Sequence, residues 1–372
     1  MFTTSTPGKL LLLLSAVFAL MLAGCTDDDD NNTNGEDDFD RAVMIAHYSS
    51  NIIVPEYEAY QQALDEMEAA REALMNEVSA NTLVDFREAF KAAWLQYQRC
   101  KIFEFGPAQS VVFRDNNNSF PTDTNTIKAN IDAGEWNLNL VSNLDAKGLP
   151  ALDYLLFRGN EVVQTAFLDT SYANYVRDVV ADLRTRAQTV VDSWTTGGYT
   201  ETFNSLDGVD VGSATSMIVN ELIFDWEANR RHKLGDPAGI NPNTNLDPNP
   251  YLGEAPYSRF GKELCIANQE AIYRLFNGRT PEGTEGPGLD DYLNAIDAQH
   301  TDGPLAQTIN DQFVESIAAA EAIPNTIFQS STNNVQAIQS AYDAVQQNIV
   351  YLKTDMTSAL GIQITFNSGD GD

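Results

Sequence analysis

Basic residues are scarce in this chain: 22 Lys and Arg stand against 53 Asp and Glu, for a net charge of −31 over 372 residues. Nucleic-acid phosphates demand basic patches, so that class of partner is excluded. Histidine is almost missing too. His47, His232 and His300 fall in no His-Glu-x-x-His or Cys/His array, which removes the usual zinc spacings. There is no Gly-x-Ser-x-Gly elbow and no glycine-rich phosphate loop, so a serine-hydrolase or nucleotide-cradling reading has nothing to stand on. Strand signals are confined to 362–366, and the N-terminal apolar run, Leu10 to Leu22, is shorter than the roughly 20 residues a membrane span needs.

That run has the form of a targeting segment. Lys9 precedes it, and Leu22-Ala23-Gly24-Cys25 resembles a lipobox, so residues 1–24 read as a signal peptide and Cys25 as the lipidated new N-terminus. Residues 25–38, rich in Asp and Asn, cannot bury enough surface to offset their ordering entropy and read as an acidic flexible tether. The expected address is the cell envelope, with the chain held by lipid on the outer membrane, on its periplasmic face or at the cell surface. Cys100 and Cys265 remain. Each lies in a helical pattern as an ordinary packed thiol, although an oxidising envelope would also permit a bridge between them.

Beyond the tether the periodicity is helical. Tyr57, Tyr60, Leu64, Met67, Leu74 and Val78 share one stripe, and a second helix begins near Thr82, placed as an N-cap, and runs towards Gly106-Pro107. Further helices are expected over 127–144, through Tyr172 to Trp194, and over 212–233, 258–276, 304–323 and 335–360. A long Asn/Pro-rich loop covers 235–256. Residues 367–372 form a polar tail. The predicted class is all-α.

One internal repeat is specific. Trp94-x4-Arg99-x-Lys101 and Trp226-x4-Arg231-x-Lys233 each stand at the end of a long helix, and each runs into a Gly/Pro break. This predicts two related helical bundles from an internal duplication, with pseudo-repeats at about 39–147 and 170–360 inside a helical domain of 39–366. Gly148 to Gly159 lies between them in sequence.

This central stretch, Gly148-Leu149-Pro150-Ala151-Leu152-Asp153-Tyr154-Leu155-Leu156-Phe157-Arg158-Gly159, carries one carboxylate on an otherwise apolar face, and a buried charge needs a partner. It is similar to the central motif of the imelysin family, Gly-x-His-x-x-Glu followed by Tyr-Leu-Leu-Phe, in envelope proteins linked to iron uptake and catalogued with metallopeptidases. Gly148 and Tyr154 to Phe157 match, whereas Pro150 stands in place of the family's His and Asp153 in place of its Glu. The resemblance extends over Trp94 to Pro107, over Lys233 to Pro237 and over Glu254 to Ser258. It implies a duplicated helical fold with its site near the junction.

Proline cannot ligate a metal, so Pro150-x-x-Asp153 is not a zinc motif. An oxygen-only site for iron or another divalent cation is left open, with Asp153, Glu104 and Glu254 as its ligands. The alternative pairs Asp153 with Arg99, Arg231 or Lys233 as a buried structural bridge. Ser258 reads as a helix N-cap beside these candidates.

The expected function is that of a non-catalytic imelysin-like envelope lipoprotein. It binds a ligand, a metal or a partner protein at the bundle junction in an iron-acquisition-related system. A metal-dependent peptidase with carboxylate ligands, and a surface nutrient-binding or scaffold lipoprotein unrelated to iron, are the other two readings.

Overall fold

The structure, a computed structural model, describes residues 39–242 and 247–366. The segments expected as signal peptide, acidic tether and polar tail, with Cys25, lie outside them.

Amphipathic stripes build two groups of helices. In the first, Val54–Asn76 packs against Ala80–Cys100 and Thr170–Thr195. In the second, Ala214–Ala228, Gly261–Phe276, Leu305–Glu321 and Val335–Val350 pack on one another. Gly261–Phe276 also lies along Ala80–Cys100, so one core runs through both groups. Among the described residues the only strands are Gln299–His300 and Gly303–Pro304, a minimal antiparallel pair.

Local chemistry sets the helix ends. Ser79, not Thr82, caps Ala80–Cys100; Thr82 is its reciprocal partner in a capping box. The helix expected over 127–144 is Thr124–Ala133, stopped where Gly134 takes φ +70°, and a 3-10 turn at Val141–Ala146 follows it. Val335–Val350 continues through a wide turn at Tyr351–Met356 and Thr357–Leu360 to Gly361. Residues 362–366, expected as a strand, are irregular: the Thr365 amide and hydroxyl bond the Asn220 side chain rather than a neighbouring strand.

The two repeated segments end differently. Trp94 and Trp226 are fully buried. Ala80–Cys100 tightens into a 3-10 turn at Lys101–Phe103, whereas Ala214–Ala228 widens into a π turn at Asn229–Gly235. Non-α turns of this kind re-aim side chains, and Lys101 and Lys233 are both carried inward and buried.

The central stretch forms the helix Gly148–Phe157, packed against Thr170–Thr195 and the short helix Phe113–Asn118. Pro150 sits in its first turn, where a backbone N–H has no intrahelical acceptor to lose. Gly148 has φ +76°, and a Cβ there would lie 2.4 Å from the Asn117 carbonyl oxygen. Left-handed backbone without glycine costs about 1–2 kcal/mol before any clash is added. Gly148→Ala is therefore expected to destabilise the protein by more than about 2 kcal/mol, read as a lower urea midpoint with unchanged m-value. An unaltered midpoint would show that the close approach is not needed.

Candidate functional site

The site grows from the two repeated lysines. Lys101 donates to Asp225, and Lys233 donates to Glu254 and, at 2.8 Å, to Gln98 Oε1. The first pair crosses between the halves; the second lies within the second half and is tied to the first by hydrogen bonds. Asp225 belongs to the second group of helices, while Glu254 is grasped by two side chains of the first, Gln98 Nε2 at 2.9 Å and Asn118 Nδ2 at 2.7 Å. Asn268 closes the network by donating to Asp225 Oδ2 at 2.6 Å and to the Gln98 carbonyl at 2.9 Å.

All of these residues are buried, so desolvation opposes every charge and mutual attraction must offset it. For the carboxylates it does. Burial pushes Asp225 and Glu254 up, but Lys101 and Arg114 around the first, and Lys233 and Lys101 around the second, hold both below the usual range. For Lys101 burial outweighs the attraction of Asp225, Lys233 adds repulsion, and its ammonium is pulled down.

A cavity of about 240 Å³ opens on this network. Lys101, Arg114, Asn118, Asp225 and Lys233 form its polar wall, Phe120 and Phe224 its apolar one, and exposed Asp115 and His232 stand at its margin. Arg114 lies over the Phe224 ring at 4.5 Å and donates to Glu221 at 2.5 Å. Glu104 holds the start of the Phe113–Asn118 helix by accepting the Arg114 N–H at 2.9 Å; burial pushes its carboxyl up to about 7 in spite of Arg114.

Asp153 stands elsewhere. Its oxygens accept the backbone N–H groups of Tyr257 at 2.8 Å and Ser258 at 2.9 Å, and burial pushes its pKa up to about 6 against these donors. The expected bridge to Arg99, Arg231 or Lys233 is thus replaced by two amides, because the loop after Glu254 turns its backbone toward the motif helix. That loop is tightly bent: Ala255 and Arg259 take φ +54° and +63°, a conformation that costs non-glycine residues about 1 kcal/mol or more each. Ser258 is not an N-cap, since the next helix starts at Gly261.

The remaining candidates scatter. Arg99 is half-buried and donates to Gln96 at 3.3 Å, the Arg231 carbonyl accepts from Asn241, and Pro150 packs in the motif helix. Of the expected site residues, Lys233 lines the cavity, Glu254 sits directly behind it, and Glu104 touches it through Arg114. His47 meets the Gly278 carbonyl, His232 pairs with Asp236, and His300 packs on Tyr351. Cys100 and Cys265 are free buried thiols.

The carboxylates also fail to make an ion site. Among the described residues no group of three or more His, Cys, Asp or Glu side chains is placed to hold a metal. Asp153, Glu104 and Glu254, expected as ligands of one cation, are each held by different protein donors. Direct iron ligation does not fit this donor set.

The sequence profile of the imelysin family matches residues 53–352, most of the chain. The chain belongs to the imelysin family. A relative from Synechococcus elongatus, "Iron-regulated protein A", is 23% identical over 292 residues, covering 76% of either chain. Two crystal structures share the fold. One, from Parabacteroides distasonis and named for iron-regulated protein A, superposes with a TM-score of 0.72 at 18% identity, covering 86% of this chain and 95% of that one. The other, an imelysin-like protein from Psychrobacter arcticum, gives 0.68 at 16% identity, covering 88% and 97%. In this imelysin the two lysines of the repeat, Lys101 and Lys233, meet at the cavity beside Arg114, Asn118 and Asp225, and the Pro150/Asp153 helix is its neighbour.

Two measurements test the electrostatics. Lys101→Met leaves Asp225 buried without its cation and should cost about 3–5 kcal/mol; the double variant Lys101→Met, Asp225→Asn should recover at least half of that in a double-mutant cycle. Additive losses would show the pair to be uncoupled. Glu104 binds its proton more tightly folded than unfolded, so its contribution is full below about pH 4.5 and is lost as pH rises to about 7. Glu104→Gln should therefore gain on wild type across that window, by at most about 3 kcal/mol, in denaturation curves at pH 5 and pH 8. Parallel pH profiles would contradict the assignment.

Proposed function

We propose that this imelysin is a non-catalytic binding protein that takes a ligand in the cavity between its two groups of helices. It works at the cell envelope in an iron-acquisition-related system, held to the membrane by lipid on Cys25. The observation that carries this reading is the cavity itself, built on a closed network of Gln98, Lys101, Asn118, Asp225, Lys233 and Glu254 drawn from both halves. Such a wall costs desolvation free energy that a plain core would not, and an apolar replacement of a buried ion pair is often as stable or more so. A binding role accounts for its presence.

The names of the Synechococcus and Parabacteroides relatives supply the iron context. The lipobox at Cys25 supports the address. A peptidase would need a metal-bound or base-activated water. Here Pro150 replaces the family's imidazole, and Asp153 is engaged by two amides. An envelope partner protein is compatible with the same site.

Two outcomes are expected. The abundance of the full chain rises when cells are starved of iron, and the purified chain cleaves no protein substrate with or without divalent metal. Proteolysis that chelator abolishes and Asp153→Asn removes would sink the non-catalytic reading. Indifference to iron supply would detach the protein from iron acquisition and leave a nutrient-binding role.

A further inference from the structure

The hydrogen-bond balance of the cavity wall is lopsided. Asp225 has a donor on each oxygen, Lys101 on one and Asn268 on the other. Glu254 has Lys233 on one oxygen, and Gln98 and Asn118 on the other. The donors are less fully used. An ammonium carries three N–H groups. Lys101 has one side-chain acceptor, which leaves two; Lys233 has two, which leaves one; and the Arg114 Nε–H has none. Buried N–H groups without acceptors are costly, so whatever fills the cavity must accept hydrogen bonds.

One acceptor is also free, and its identity is fixed. Asn118 must turn its amide nitrogen to the Glu254 carboxylate, so its Oδ1 faces away, and that oxygen is buried without a partner. It calls for a single O–H or N–H on the ligand. The cavity, about 240 Å³, is of a size for a small molecule. Phe120 and Phe224 offer a short apolar contact opposite the charges.

We propose that this cavity binds a small organic acid bearing two or more carboxylates and a hydroxyl. The carboxylates accept from Lys101, Lys233 and Arg114, and the hydroxyl donates to Asn118 Oδ1. The net charge of −31 does not forbid an anion, because charges more than a Debye length away, about 8 Å at physiological salt, are screened, while these cations would be in contact. The inference rests on the binding reading above and names its ligand class. It also suits an iron role without protein ligands, since hard cations are themselves held by carboxylate and hydroxyl oxygens.

The test is isothermal calorimetry on the full chain in mild detergent, with citrate, tricarballylate, inorganic phosphate and uncharged trimethyl citrate as probes. Citrate is expected to bind one per chain, tricarballylate more weakly for want of the hydroxyl, and trimethyl citrate not at all. The double variant Lys101→Met, Asp225→Asn should weaken citrate at least tenfold, with circular dichroism confirming its fold. If that variant does not fold, the charged and esterified probes still decide on wild type. Trimethyl citrate binding as well as citrate, phosphate binding more tightly than citrate, or citrate unaffected in a folded variant would overturn the assignment. Should a neutral or cationic compound occupy the cavity while citrate is inert, the binding reading stands and the anion does not. A cavity that no compound of any charge enters removes both.

Discussion

Two lysines buried side by side need two carboxylates, and in this protein neither is satisfied from its own repeat segment. Lys101 takes Asp225 from the helix that leads to Lys233, and Lys233 takes Glu254, whose other oxygen is held by Gln98 and Asn118 from the half that carries Lys101. The crossed arrangement fixes how the halves meet. Stability is a poor explanation for such pairs, because desolvation consumes most of their Coulomb gain. They also discriminate: a register in which the halves docked one turn out would bury Lys101 and Asp225 without each other and strip Glu254 of its Gln98 and Asn118 donors. The same side chains that align the halves form the polar wall of the cavity.

The motif helix is subordinate to this arrangement. Gly148 lets it approach the Asn116–Asn117 backbone, just before Asn118, and Asp153 seizes the amides of Tyr257 and Ser258, three and four residues beyond Glu254. Both ends of the Asn118–Glu254 hydrogen bond are thus positioned from Gly148–Phe157, without that helix supplying a group to the cavity. This gives the stretch a structural account even with proline where the family carries histidine. The motif acts as a splint for the loop that delivers Glu254.

How much of this was legible beforehand depended on whether the signal was local. The long helices were, since stripes such as Tyr57-Tyr60-Leu64 and Ile338-Tyr342-Val345 are set by burial on one face. So were Lys233 and Glu254, reached through the repeat and the family resemblance. Lys101 stood in the same repeat as Lys233 and was passed over in favour of Arg99. A lysine that recurs at the buried end of two Trp-bearing helices was the clue. Asp225 had none, because its counterpart before Trp94 is Ala93, and Arg114 stands outside both the repeat and the segments that resemble the family. The partner of Asp153 was illegible for a different reason. A backbone amide has no identity in the sequence, so a search for cationic side chains could not find it. The missed helix ends, at Gly134 and Gly261, reflect capping geometry that depends on tertiary packing.

The widened turn at Asn229–Gly235 and the tightened one at Lys101–Phe103 also bear on the autonomy of the halves. Two segments of common pattern have taken different pitches, and the first now presents a lysine that a carboxylate of the other half neutralises. Cut from its neighbour, the first half would bury Lys101 as an uncompensated ammonium or turn it out to water, and the second would leave Asp225 without Lys101 and Glu254 without Gln98 and Asn118. The Lys101–Asp225 pair and the Gln98 and Asn118 bonds to Glu254 thus couple the two halves into one cooperative body.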